Sequence, residues 1–371
     1  MVIRTITCHH EFNRGAMLQA YALAYYLKSL GHDVQVIDYS PYYMPGKAKV
    51  NFKWVPDRYD YFGIRTLFRL AKWRQNSYKQ GQRNALEVFY KKYIPVTSGH
   101  YKTIEELRKD PPAADIYIAG SDQIWNTTFP NGKDAAFYLD FGNPQRKISY
   151  AASFATRGLV DGTEEFVKTQ LKNFDAISVR EQSGLNLLNS LGFDGQVVVD
   201  PVFLLSGKQW DLFDKGEIKD KYILVYDFEP KRSDIKAIAK RLAALHGCKI
   251  YTLTSPASFF SYADESFLTS GPDMFVNLIK HARCVVSNSF HGTAFSMIYG
   301  RDFFVVGRKD GLNVRMQDLL NRYNLSDRLV DVNVSDDMLK KNINYDSVNG
   351  QLERDIEDSK SFLLHQIELA Q

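Results

Sequence analysis

Residues Val285–Gly300 read VVSNSFHGTAFSMIYG. An apolar run beginning at Cys284 gives way to Ser287, Asn288 and Ser289. His291, Gly292 and Thr293 follow, and then an apolar pattern of helical period. This is the signature of a β-strand that ends, a polar turn and a helix that starts. Such corners are the repeating unit of α/β folds, and in open parallel sheets the loops beyond the strands' carboxyl ends face the ligand. A helix opening near Gly292 would present the positive end of its dipole and free backbone N–H groups. Gly292 would admit a ligand close to the backbone, with Ser289 and Thr293 beside it. Together these features describe an anion site. His291, at its mouth, can exchange a proton near neutral pH. The competing reading is an ordinary strand-to-helix corner in which the serines and Asn288 cap the helix and His291 packs.

Outward from this corner the pattern repeats. YILVYDF, CKIYTLT and DFFVVG read as strands, and Asp234–Leu245, Asp273–His281 and Thr293–Tyr299 as the helices between them. The N-terminal half has the same rhythm. Strands are expected at Val2–Cys8, Val34–Tyr39, Ile116–Ala119, Ile148–Ala152, Ile177–Val179 and Val197–Val199. Helices are expected at Ala16–Leu30, Glu164–Asn173 and Gly184–Leu191. Short apolar runs alternating with helices imply mostly parallel, doubly wound sheets. The rhythm restarts between Leu204 and Lys221, giving an N-terminal unit over 1–205 and a C-terminal unit over 206–371 that ends in an amphipathic helix at 352–370.

Residues 42–93 break the pattern. They are rich in aromatics and carry Lys53, Arg58, Arg65, Arg69, Lys72, Arg74, Lys79 and Arg83, while Ile64, Leu67, Phe68 and Ala71 fit one helical face. This is either a basic amphipathic insertion suited to an anionic membrane surface or a solvated helix on the domain edge.

Bulk composition narrows the function. A length of 371 residues and 44% hydrophobic residues fit two globular domains. The net charge of +4 is too small for a dense nucleic-acid-binding face. Cys8, Cys248 and Cys284 are scattered, with no disulfide framework or paired metal spacing, as expected in a reducing cytoplasm. The N-terminal segment is too polar for a signal peptide, and no apolar stretch reaches the roughly 18 residues of a membrane span.

Four more loops fall after strands. Arg180, in SVRE, has a guanidinium fork suited to a carboxylate or phosphate, or to a structural pair with Glu181 or another acid. Asp122, between Ser121 and Gln123 in AGSDQIWN, is placed to orient a sugar hydroxyl or take its proton, although aspartate is also common in turns. Asn13, Arg14 and Gly15 lie between the first strand and first helix, without the dinucleotide G-x-G-x-x-G pattern. Arg308, Lys309 and Arg315 follow the strand after the opening corner and add positive charge, either to the same pocket or to the surface. His9 and His10 beside Cys8 hint at metal, but no partner cluster is visible in the sequence. Asp200 and Pro201 read as turn chemistry.

Taken in order, NRGAMLQAYAL, AGSDQIWN, YAASF, SVRE, DPVFLL and the opening stretch resemble the polysaccharide pyruvyl transferase family over roughly residues 1–330. The resemblance implies two Rossmann-like domains of the glycosyltransferase-B type facing a central cleft. It also implies transfer of a pyruvyl group from phosphoenolpyruvate to two hydroxyls of a sugar in a lipid-linked or cell-surface glycan. The family's histidine falls on His291, its following glycine on Gly292 and its strand-end arginine on Arg180. Some relatives carry an arginine where this chain has Ser289, and many carry an acid where it has Ala16.

The chemistry implied needs no cofactor or metal. His291 would act as general acid and Asp122 as its catalytic partner. Arg180, Ser289, Gly292, Thr293, Arg308, Lys309 and Arg315 would bind the donor. Asn13, Arg14, Gly15, Ser121 and Gln123 would bind the acceptor. The expected location is the cytoplasm, at the inner face of the membrane. The rivals are a nucleotide-sugar glycosyltransferase of the same architecture and an inactive glycan-binding protein.

The insertion is directly testable. Each basic residue near an anionic surface contributes about 1 kcal/mol, screened by salt. Replacing Arg65, Arg69 and Lys72 with Gln should reduce co-sedimentation with phosphatidylserine vesicles, mainly at low salt, and leave activity on a short soluble acceptor unchanged. Wild-type protein that ignores the vesicles would make the segment ordinary scaffold.

Overall fold

Short, wholly apolar segments such as Ile116–Ala119 and Tyr222–Tyr226 have no polar face to give to water, so they are stable only as strands covered on both sides. The computed structural model shows this arrangement. It describes residues 1–10, 13–44, 64–229, 233–253, 262–308 and 313–371, the side chains of 64–76 and 233 excepted.

The first unit holds a parallel sheet of β1 (Val2–Ile6), β2 (Asp33–Tyr39), β3 (Val96–Tyr101), β4 (Ile116–Ala119) and β5 (Arg146–Ser149), in the order β3-β2-β1-β4-β5. Helices α1 (Arg14–Ser29), α2 (Ile64–Tyr93), α3 (Ile104–Lys109), α4 (Glu164–Leu171) and α5 (Gln182–Ser190) belong to this half. A small parallel pair, β6 (Ser178–Val179) and β7 (Gln196–Val197), is joined to β5 and its following residues by bridges Ile148–Ala176 and Ala152–Val179.

Short helix α6 (Gly207–Trp210) leads into the second unit. Its sheet contains β8 (Tyr222–Tyr226), β9 (Lys249–Thr252), β10 (Glu265–Ser266), β11 (Cys284–Ser287), β12 (Asp302–Val306) and β13 (Leu329–Val330), all parallel, in the order β10-β9-β8-β11-β12-β13. The helices are α7 (Ser233–His246), α8 (Pro272–His281), α9 (Phe290–Ile298), α10 (Val314–Arg322), α11 (Asp336–Lys340) and α12 (Tyr345–Glu368).

The two sheets share one hydrophobic core. It runs without a break from Ile3 and Val34 through the Pro201–Leu204 turn to Leu224, Val285 and Phe295. Helix α1 lies in the middle of this contact and packs against both that turn and α8, so it is buried along almost its whole length. Tyr21 on α1 meets Trp210 and Phe213 at ring-centroid distances of 5.7 and 5.4 Å. Arg14, expected to face the acceptor, crosses to the second unit instead. Its Nε and Nη2 donate to the Ser270 carbonyl at 3.2 and 3.0 Å, and its guanidinium lies 5.9 Å from the Tyr226 ring centre.

Helix α12 begins at Tyr345, seven residues before the expected start at 352, because Asn344 caps it through the Asp346 N–H. It returns to the first unit, where Gln366 accepts from Arg146 at 2.7 Å and Ser359 accepts from the Val199 N–H at 2.9 Å. Of the 42–93 segment, the last turns of α2 are core, with Leu86 and Phe89 buried. The side chains of Ile64, Arg65, Leu67, Phe68, Arg69, Ala71 and Lys72 lie outside the described residues. No helix among the described residues is long and apolar enough to cross a membrane.

Candidate active site

In a doubly wound sheet a crevice opens where the strand order reverses, because neighbouring crossovers leave in opposite directions. That point lies between β1 and β4 in the first sheet and between β8 and β11 in the second. The loops after these four strands converge on one cavity of about 360 Å³. Asn13, Asp122 and Gln123 come from the first unit, and Phe228, Asn288, Ser289 and His291 from the second; Arg308 and Arg315 close it beyond β12. A second cavity of about 350 Å³ lies alongside, lined by Arg180, Asp200, Phe203 and Asp318 among others. Phe290 and Arg315 belong to both walls.

Between the cavities lies a buried charge cluster. Arg180, almost free of solvent, donates from Nη1 to Asp200 Oδ2 at 2.6 Å. Its Nη2 is 3.7 Å from Asp122, its Nε is 3.8 Å from Glu181, and its guanidinium lies 4.3 Å from the Phe290 ring centre. Burial alone would disfavour this cation, but Asp200, Asp122 and Glu181 outweigh it, and its pKa rises above the ordinary arginine value. Asp200 also accepts from Ser121 at 3.0 Å. Glu181 accepts from Ser153 at 2.7 Å and from the Ala155 N–H at 3.1 Å, while burial pushes its carboxyl above the usual range.

Arg315 is differently placed. It is buried in the cavity wall, 3.5 Å from Asp122, and its Nε has no hydrogen-bond partner. Burial, with Arg180 nearby, pushes its pKa down to about 10. Burial would raise the Asp122 pKa, but Arg180, His291 and Arg315 hold it below the usual carboxylate value, so Asp122 is ionised. Its φ of 76° is in the left-handed region, a strained position for a residue with a Cβ and one typical of functional sites.

His291 lies against the first unit. Its Nε2 is buried without a hydrogen-bond partner, 3.7 Å from Asp200. Burial lowers its pKa, Asp200 and Asp122 pull it back up, and the net direction is down. The imidazole is therefore neutral at neutral pH. Gly15 explains how the ring fits: a Cβ at that position would sit 2.1 Å from His291 Nδ1. Glycine at the start of α1 leaves room for the histidine of the opposite unit.

A sequence profile of the polysaccharide pyruvyl transferase family matches residues 13–310. The chain belongs to this family. Among curated proteins, none matches it in sequence. In structure it is similar to UDP-N-acetylglucosamine 2-epimerase from Rickettsia bellii, with a TM-score of 0.52 and 10% identity over 100% of this chain and 96% of that one. That likeness speaks for the fold, two Rossmann-like domains of the glycosyltransferase-B type around a central cleft. The glycosyltransferase SnogD from Streptomyces nogalater also matches, with a TM-score of 0.49 and 12% identity over 100% of each chain.

Within this pyruvyl transferase family member, the expected site residues divide. Asn13, Asp122, Gln123, Ser289, His291, Arg308 and Arg315 line the main cavity. Asn13 also caps α1 through the Gly15 and Ala16 N–H groups. Arg308 stands 5.6 Å from the Phe228 ring centre. Lys309 lies outside the described residues.

The others have different tasks. Helix α9 starts at Phe290, two residues before the expected Gly292, because Ser289 caps it by accepting from the Gly292 N–H at 3.3 Å. His291 is consequently inside the first turn. The Gly292 N–H is committed to that cap, and the residue is glycine for packing, since a Cβ would meet Ser287 Oγ at 2.7 Å. Thr293 bonds the Ser289 carbonyl within the helix at 3.3 Å and is buried away from the cavity. Ser121 is bound to Asp200, and Arg180 faces the second cavity, with its shortest bond to a carboxylate of its own chain. Asp200 and Glu181 were legible only as a turn residue and as a neighbour of Arg180, yet they neutralise the cluster. A DP step leaving an apolar strand gives no sign that its carboxylate is fully buried.

The Gly15–His291 contact yields a prediction. Gly15→Ala should lower stability by about 1–3 kcal/mol through overpacking and reduce kcat far more than donor affinity, because the ring is displaced. In a double-mutant cycle with His291→Ala the stability loss should largely disappear. Normal turnover in Gly15→Ala would show that the ring's present position is not the working one.

Proposed function

We propose that this protein transfers the pyruvyl group of phosphoenolpyruvate to two hydroxyls of a sugar in a lipid-linked or cell-surface glycan, at the cytoplasmic face of the membrane. The observation that carries the reading is Arg315, a buried guanidinium in the cavity wall with its Nε unpartnered and its charge disfavoured. Such a group favours an anion beside it. The positive end of α9, at Ser289 and Phe290, opens on the same cavity and Arg308 borders it. Phosphoenolpyruvate carries a carboxylate and a phosphate, which suits two cationic groups and a helix terminus. In this reading the second unit, 206–371, holds the donor and the first, 1–205, presents the acceptor.

The reaction adds a sugar hydroxyl oxygen to C2 of the enol while a proton reaches the C3 methylene, making a methyl group. The C2–O bond to phosphate then breaks, and the second hydroxyl closes the ketal. One hydroxyl proton is thus accounted for by the methyl group and the other leaves with inorganic phosphate. Ionised Asp122 orients the attacking hydroxyl by accepting its hydrogen bond. His291 delivers the proton to carbon. Its free-state neutrality means that the proton must be acquired, and the negative charges of the donor supply the reason by raising its pKa. Placing such an acid correctly contributes roughly 10²–10⁴-fold in rate.

Arg315→Gln should weaken phosphoenolpyruvate binding by more than about tenfold, as expected for hydrogen bonds to a charged group worth about 1.5–3 kcal/mol. Its melting temperature should hold or rise, because a disfavoured buried charge is removed. Thermal shifts with phosphoenolpyruvate and, separately, UDP-N-acetylglucosamine measure this. Stabilisation by the nucleotide sugar alone would favour a glycosyltransferase. Product identity follows from the mass of a glycan acceptor after incubation with phosphoenolpyruvate.

The protonation argument has its own sign. His291 has a depressed pKa without donor and a raised one with it, so donor binding takes up a proton between those two values. Phosphoenolpyruvate affinity should fall as pH rises through the raised value, and His291→Gln should flatten that profile after correction for the phosphate's own titration. Calorimetry in buffers of different ionisation enthalpy reads the proton directly. No proton uptake beyond that of the ligand would remove His291 as the acid.

A further inference from the structure

The pair His9 and His10 is adjacent in sequence, but the third group of its cluster comes from the next strand. His9 and His10 follow β1, and Asp38 is the penultimate residue of β2, next to β1 in the sheet. One ligand atom from each lies within 4.8 Å of the others. We propose that His9, His10 and Asp38 form a binding site for a borderline divalent cation of the zinc class, apart from the reaction cavity, which none of the three lines.

The decisive observation is His9. Its side chain is fully buried, and its Nδ1 is 2.9 Å from the Thr7 carbonyl. A carbonyl only accepts, so Nδ1 carries the hydrogen and Nε2 is left with a lone pair. That Nε2 is buried without any hydrogen-bond partner, and the charged group it faces is Asp38 Oδ1 at 4.0 Å. Asp38 Oδ1 also accepts from the Tyr90 hydroxyl at 3.4 Å, but the lone pair of His9 Nε2 finds no donor, and an electropositive centre between the two atoms would satisfy both. His10 Nε2 reaches the same Oδ1 at 2.5 Å.

The separations to Asp38 are close to what such an ion needs. With metal–nitrogen distances of about 2.0–2.1 Å, tetrahedral ligands stand about 3.3 Å apart. The His9–Asp38 separation must close and the His10–Asp38 separation open by less than an ångström each. The groups behind the ligands are also in place. The Thr7 carbonyl fixes the His9 tautomer, and His100 Nδ1 meets the second Asp38 oxygen at 2.9 Å. Histidine ligands held by a carbonyl, and carboxylates held by a further hydrogen bond, are the usual support of metal sites. Two imidazoles and one carboxylate suit zinc-like ions over calcium or magnesium; a water completes the tetrahedron.

The site's effect on the enzyme is positional. It fixes the start of the loop that leads from β1 to Asn13 and Gly15, the residues that cap α1 and make room for His291. No bond is made or broken at the cation.

The test uses the full-length protein, stripped with a chelator and titrated with Zn²⁺ against a chromophoric competitor, and with Co²⁺ monitored in the visible. One Zn²⁺ per chain and the intense absorption of four-coordinate Co²⁺ are expected. His10→Gln and Asp38→Asn should each weaken Zn²⁺ by more than the roughly 10–100-fold cost of removing a supporting partner, and His100→Ala should fall within that range. His10 is half-buried, so His10→Gln decides the matter should Asp38→Asn fail to fold. Absence of stoichiometric Zn²⁺ would reduce the cluster to a hydrogen-bonded His10–Asp38–His100 network. Unchanged affinity in His10→Gln would place any bound Zn²⁺ elsewhere, and either result overturns the proposal.

Discussion

A full positive charge, Arg180, is buried where the two sheets meet, and its neutralisation fixes the centre of the molecule. A guanidinium out of water is tolerable only with excellent partners. Asp200 supplies the direct bond, while Asp122 and Glu181 add charge at longer range and the Phe290 ring covers one face. Each partner arrives from a different part of the chain. Asp122 follows β4, Glu181 precedes α5, Asp200 opens the turn that crosses between units, and Phe290 begins α9 of the second unit. The arrangement of these four segments is therefore constrained by one side chain. The same Asp200 oxygen holds Ser121 and lies 3.7 Å from His291, so the cluster and the cleft share an atom.

Much of the fold could be read from the sequence for a simple reason. Strands such as IYIA and YILVY are apolar at every position and so announce burial on both faces, and the corners after them carry the polar residues. His291 and Asp122 were legible because they stand at such corners. Helix starts were harder, because caps decide them. Ser289 and Asn344 moved α9 and α12 earlier than the apolar pattern suggested, and in α9 this placed His291 in the first turn rather than before it. The role of Arg14 was hidden for another reason. Its partner, the Ser270 carbonyl, lies 256 residues away and is a backbone atom, which no side-chain pattern records. Asp38 escaped notice because it belongs to a strand and meets His10 only through sheet pairing.

The two arginines of the site are distinguished by what their own chain already gives them. Arg180 has a 2.6 Å bond to a carboxylate and a raised pKa, so an incoming anion would have to compete with Asp200. Arg315 has an ion pair at 3.5 Å, an unpartnered Nε and a lowered pKa. Identical side chains thus differ in what they favour: Arg180 is committed to its own chain's carboxylates, while Arg315, in the proposed reading, gains most from a ligand. Strand-end position and the match to the family's arginine favoured Arg180. In the proposed reading, counterion geometry reverses the order.

That reversal also bears on the histidine. Asp122 and Asp200 stabilise an imidazolium at His291, while burial, Arg180 and Arg315 oppose it, and the balance leaves the ring neutral. An anion that pairs with Arg315 weakens one of the opposing terms and adds negative charge beside the ring. In the proposed reaction, the group that neutralises Arg315 therefore also makes His291 a better proton carrier. Because Gly15 lets the ring lie against the first unit, this coupling depends on the two domains being in contact. On the proposed reading, donor charge, histidine protonation and domain packing are in this way one linked equilibrium, centred on His291, which the start of α9 delivers to the cleft beside Phe290.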